Sequence, residues 1–136
     1  GEYGKAISDY TQALRFDPNI AEAYNNRGVA YEHMGEYDKA ISGYTRALKI
    51  KPDYAEAYYN LGNIYHRKGE YDKAISDYTQ ALKIKPDYAR ACYNRAVTYF
   101  MKTDYDKAWE DVQKSKELGH QIEPEFLELL RNASGR

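Results

Sequence analysis

The chain has 136 residues, a formal net charge of −1 and a single cysteine, Cys92. The balanced charge offers no electrostatic basis for a nucleic-acid or anionic-membrane partner, and one cysteine is too little for an internal disulfide or a thiolate metal site. No apolar run approaches the roughly 20 residues that a bilayer span needs, and no basic start leads into an apolar stretch, so the expectation is a reducing, cytoplasmic setting.

Taken in order, Gly1–Asn19 (GEYGKAISDYTQALRFDPN) reads as one helix carrying Tyr3, Ile7, Tyr10 and Leu14 as its apolar residues. Ala21–Tyr54 and Ala55–Tyr88 then match without a gap at an offset of 34, and a divergent third copy starts at Ala89. Such self-similarity marks a repeat architecture. Within a copy, Tyr58, Gly62 and Tyr65 are spaced four and three apart, as on one face of a helix. Gly69 stands where that helix must stop, because glycine tolerates the left-handed conformation of a helix terminus. Tyr71, Ala74, Ile75, Tyr78, Ala81 and Leu82 form a second helical stripe, closed at Lys85–Pro86. The small residues Gly62, Ala74 and Ala81 let two helix backbones approach, with tyrosines filling the space around them. This repeated packing role accounts for 16 tyrosines beside one tryptophan and three phenylalanines. One helix pair cannot bury its apolar face alone, whereas stacked pairs can, so an α-solenoid follows.

Shifting back by 34 places Gly1 under Gly35, Tyr10 under Tyr44 and Pro18 under Pro52. The first helix is therefore the second half of a unit whose first half is missing, and the expectation is a cut from a longer array. After Gly119 the text changes: Pro124 suits a first helical turn, and Phe126, Leu129, Leu130 and Ala133 form a stripe with Glu125, Glu128 and Arg131 facing solvent.

The series Tyr24, Gly28, Tyr31, Ala40, Tyr44, Ala47 and Pro52 recurs as Tyr58, Gly62, Tyr65, Ala74, Tyr78, Ala81 and Pro86. In this it closely resembles the tetratricopeptide repeat family. The third unit departs from the pattern, with Cys92, Ala96, Val112 and His120 at the aromatic, glycine, second-helix tyrosine and proline positions. The resemblance implies an all-α fold, a right-handed α-solenoid of antiparallel helix pairs. It divides one domain into an orphan second helix (1–20), repeats at 21–54, 55–88 and 89–122, and a capping helix (123–136). It also implies a non-catalytic scaffold that takes a peptide segment of a partner protein in a concave groove lined by first helices.

Spacing opposite the packing stripe yields the groove candidates. Asn26, Asn60 and Asn94 form a ladder of one amide per repeat, suited to bonding a peptide backbone; the competing role is to tie neighbouring helices together. Tyr59 and Tyr93 are amphipathic anchors, accompanied by Asn63, His66, Arg67 and Arg90. Phe100 and Met101 either form an apolar pocket at one end or seal against the last helix. Some relatives clamp terminal carboxylates of chaperone tails; only Asn60 and Arg90 match that set, while Asn25, Val29 and Asn94 do not, so a full clamp is rejected. The alternative function is self-association through Tyr3, Ile7, Tyr10 and Leu14, giving a possible homo-oligomer. No metal, cofactor or catalytic set is expected: His33, His66 and Glu56 make a poor metal case, and no nucleophile–base–orienter group stands out.

Arginine replaces the family's usual leucine at Arg27 and Arg95, with Leu61 between them. Burying arginine demands a partner. Asp9 and Asp77, on the preceding second helices, precede the two arginines, whereas Gly43 precedes Leu61. The expectation is inter-repeat ion pairs Arg27–Asp9 and Arg95–Asp77.

Overall fold

The computed structural model describes residues 1–136 as eight helices and no strands. They are α1 (Glu2–Phe16), α2 (Ala21–His33), α3 (Tyr37–Ile50), α4 (Ala55–Arg67), α5 (Tyr71–Ile84), α6 (Ala89–Met101), α7 (Tyr105–Glu117) and α8 (Pro124–Ser134). Packing is densest within α2/α3, α4/α5 and α6/α7, and each first helix also touches the next, α2 on α4 and α4 on α6. This is the stacked solenoid that the 34-residue period demands. No helix is long and apolar enough to cross a membrane.

The close approach of paired helices rests on glycine. A Cβ at Gly28 would lie 2.8 Å from the Tyr44 ring, and one at Gly62 would lie 2.6 Å from the Tyr78 ring. Tyr44 and Tyr78 are fully buried there, so any side chain on the first helix would drive the pair apart. The turn inside each pair is equally regular. Gly35 and Gly69 take φ of 75° and 74°, and the same place in the third unit holds Thr103 at φ 61°. A β-branched residue in the left-handed region is strained.

Charge also follows the period. Asp38, Asp72 and Asp106, each in the first turn of a second helix, pair across 30 residues with Lys68, Lys102 and Arg136. These bridges are exposed and contribute little singly. At the other end of the molecule Phe126 and Leu130 of α8 bury against Ala96, Ala108 and Val112. Leu129, placed in that buried stripe by spacing, is 56% exposed, and Ala133 is exposed as well. Leu127 packs in its stead, because only a narrow strip of α8 meets the preceding pair. Phe100 stacks edge-on against Phe126 at 5.6 Å and so joins this seal, while Met101 stays exposed.

Neither expected ion pair forms. Arg95 turns forward to the second helix of its own unit, where Nε and Nη2 donate to both oxygens of Asp111 at 2.7 and 2.8 Å. Toward the preceding unit its Nη1 meets Thr79, not Asp77. Arg27 likewise donates to Thr11 and not to Asp9. The threonines, two positions beyond the aspartates, lie under the arginine side chains. Asp77 is left half-buried without a cation, and burial pushes its carboxyl up to about 6.

Candidate functional site

Consecutive first helices are joined by hydrogen bonds one residue longer than the repeat. Asn60 Nδ2 donates to Asn25 Oδ1, Asn94 Nδ2 to Tyr59 Oη, and Arg67 Nη1 to Glu32 Oε1, each across 35 residues. Glu32 also accepts from the Tyr44 hydroxyl at 2.7 Å, which ties a second helix into the same joint. In the next unit the Tyr78 hydroxyl donates to Asn63 Oδ1 at 2.6 Å, and Asn94 Nδ2 donates to that same oxygen at 2.9 Å. Burial raises the Tyr44 and Tyr78 phenols, with Glu32 adding to the effect at Tyr44, so both remain neutral donors. Two of the three ladder asparagines therefore hold repeats together. Asn26 is the exception, exposed on α2 with no internal hydrogen bond to a neighbouring repeat.

His66 adds a further link. The Thr98 hydroxyl donates its one proton to the Asn94 carbonyl, so it accepts from His66 Nδ1–H at 2.8 Å. Desolvation, and secondarily the Arg67 charge, lower the His66 pKa and keep the ring neutral near pH 7.

Above this network lies a cavity of about 450 Å³ lined by Tyr59, Asn63, His66, Arg67, Tyr78, Arg90, Tyr93, Asn94 and Val97. It gathers seven of the nine groove candidates between α4 and α6, leaving Asn26 and Asn60 outside. Tyr78 was missed because its place in the second-helix stripe identifies it only as packing. Its ring is buried, yet its hydroxyl reaches the cavity wall. The Arg90 guanidinium lies 5.2 Å from the centre of the Tyr59 ring and has no carboxylate within 4.0 Å. Arg67, by contrast, is already paired with Glu32. Tyr93 packs edge-on against Phe126 and beside His120, fixing its ring at the cavity edge. A larger hollow of about 940 Å³ between α7 and α8 is a shallow surface of both charge signs with one apolar lining residue, Trp109. No group of three or more metal-ligating side chains comes together.

The self-association candidates are placed less uniformly than expected. Leu14 is buried, which removes it from any free face; Ile7 and Tyr10 are partly covered. Tyr3 is 45% exposed with its ring stacked on His33 at 4.7 Å, and Phe16, absent from the candidates, is 85% exposed.

A helical-pair solenoid with an open, polar, tyrosine-bordered groove defines a class of repeat scaffold, and comparison with known proteins gives the class its family. A Tetratricopeptide repeat profile matches residues 19–87, a TPR repeat profile residues 1–35, and a second Tetratricopeptide repeat profile residues 65–110. The chain belongs to the tetratricopeptide repeat family. Comparison with curated proteins gave no match. Among solved structures, a crystal structure of MamA is 34% identical, with a TM-score of 0.82 over 88% of this chain and 70% of that one. Another MamA crystal structure is 32% identical, with a TM-score of 0.80 over 91% and 72% of the two chains. A MamA RS-1 ArsTM double mutant, at 24% identity and a TM-score of 0.79 over 88% and 67%, shares the fold. The family and these neighbours mark the chain as a protein–protein interaction scaffold.

Proposed function

We propose that the chain is a non-catalytic scaffold that takes an extended peptide segment of a partner protein in the cavity between α4 and α6. The observation that carries this reading is the convergence in one open cavity of two tyrosines, two asparagines and an unpaired arginine. Tyr93, half-buried at the cavity edge, offers an apolar face with a polar tip, of the kind that anchors interfaces. Tyr59, expected as a second anchor, is instead buried in the core with its hydroxyl held by Asn94, and only lines the wall. Asn63 and Asn94 supply amide groups at the wall, each with hydrogen-bonding capacity beyond its internal bonds. Arg90 adds a free cation, which favours a segment carrying an acidic residue or its own terminal carboxylate.

The test is selection from a displayed peptide library, followed by calorimetric titration of the winning peptides. Arg90→Glu, an exposed change, is expected to weaken binding at least tenfold while leaving the far-UV circular dichroism unchanged. Peptides that bind Arg90→Glu and Tyr93→Ala as tightly as the parent chain refute the cavity as the site.

The exposure of Tyr3 and Phe16 on α1 favours a second reading, self-association through that helix. Light scattering over a hundredfold concentration range separates the two: a strict monomer throughout removes self-association.

A further inference from the structure

Arg27, Leu61 and Arg95 share one place in three successive first helices. Arg95 shows the full set of contacts that an arginine makes there. Its Nη1 donates to Thr79, 16 residues before it, at 3.1 Å; its Nε and Nη2 grip the Asp111 carboxylate, 16 residues after it. Arg27 repeats the first contact, with Nη1 donating to Thr11 at the same 3.1 Å and the same separation of 16. The second contact has no counterpart. Gly43 stands where Asp111 stands in the later unit, and no carboxylate lies within 4.0 Å of Arg27.

At Gly43 itself α3 closes onto α2, and a Cβ there would lie 3.0 Å from the Tyr24 carbonyl oxygen. Beside it lies a cleft of about 330 Å³, bordered by Arg27, Tyr24, Tyr31, Lys39 and Arg46, with no acidic lining residue. Tyr24 carries cations on both neighbours: the Arg27 and Arg46 guanidinium carbons lie 5.5 and 5.9 Å from its ring centre. Lys39 is engaged with Glu36 at 2.6 Å, so Arg27 and Arg46 supply the free charge. The cleft shares no residue with the cavity between α4 and α6.

We propose that this cleft binds a carboxylate side chain of an acidic peptide segment, seated against Nε and Nη2 of Arg27 where Asp111 sits against Arg95. A fork-to-fork arginine–carboxylate pair is the strongest hydrogen-bonded match for that guanidinium edge. The chain supplies the template for the occupant, since its own later repeat fills the equivalent place with an aspartate. The cleft's volume of about 330 Å³ holds the methylene stem that a free anion lacks, and Arg46 meets a second acidic residue of the segment. This site is independent of the groove reading and survives its failure.

The test is an NMR titration that follows the Arg27 Nε–Hε resonance on adding a capped tetraglutamate peptide. Tetraglutamine, sodium acetate and inorganic phosphate are the parallel arms. The resonance is expected to shift saturably with tetraglutamate and not with tetraglutamine. Arg27→Leu, which copies the residue of the middle repeat, is expected to weaken tetraglutamate binding at least tenfold, followed by backbone amides of α2 and α3. Exposed Arg46→Gln should weaken it severalfold with no change in fold, and Asp9→Asn should leave it unchanged. An immobile Arg27 resonance, or undiminished binding in both arginine variants, overturns the proposal. Acetate or phosphate binding as tightly as tetraglutamate overturns the peptide assignment in favour of a small-anion site.

Discussion

Replacing Asp111 with asparagine keeps the side-chain shape and removes the charge that Arg95 was buried to meet. The pair is well desolvated, with the Asp111 side chain 6% and the Arg95 side chain 18% exposed, and its two hydrogen bonds measure 2.7 and 2.8 Å. Removing one partner of such a pair costs about 3–5 kcal/mol, because the surviving charge stays buried. Arg95 keeps its bond to Thr79 and some access to water, which places the expected loss near the lower bound, about 3 kcal/mol. For a chain of this length that corresponds to a fall in Tm of roughly 10 °C. Urea unfolding followed by circular dichroism measures the loss, provided the m-value is unchanged, since repeat arrays can lose cooperativity. The double variant Arg95→Leu/Asp111→Asn copies the leucine of the middle repeat and should recover most of the loss. A single Asp111→Asn variant less than about 1 kcal/mol below the parent would refute the account of a buried, mutually dependent pair.

Two further outcomes follow from departures within the register. Burial holds the Asp77 carboxyl at about 6, above the ordinary unfolded value of about 3.9, so the folded chain binds that proton more tightly. Stability is therefore full below about pH 4 and falls as pH rises through about 6. Asp77→Asn is expected to exceed the parent by about 1–2 kcal/mol at pH 7, discounted for partial exposure, and to match it near pH 3.5; a difference that is flat with pH refutes this. Thr103→Gly relieves the left-handed backbone at φ 61° and is expected to stabilise by about 1 kcal/mol in urea, net of the glycine entropy.

The cavity between α4 and α6 was legible to the extent that a helix face can be read by spacing. Tyr59, Asn63, His66, Arg67, Arg90, Tyr93 and Asn94 come together because every third or fourth residue shares a face. Asn26 stays outside the cavity because it stands on α2, and Asn60, although on α4, is turned back toward α2, where it donates to Asn25. The bonds from Asn60 to Asn25 and from Arg67 to Glu32 carried a faint signal, a period of 35 beside the period of 34. It shows only once the stagger of neighbouring first helices is known.

The sequence by itself determined the architecture, since glycine, alanine and tyrosine at a strict 34-residue interval admit one way of burying an apolar face. It also determined that Arg27 and Arg95 needed partners. Which partners was left to the tertiary structure, because a first helix lies between two second helices and offers each arginine candidates on both sides. The direction of the side chain decided it, turning Arg95 away from Asp77 and onto Asp111. Where the same turn meets Gly43, Arg27 keeps half of its guanidinium without a carboxylate. A repeat fixes backbone positions by its period, but a charge is satisfied only by the atoms that its side chain reaches.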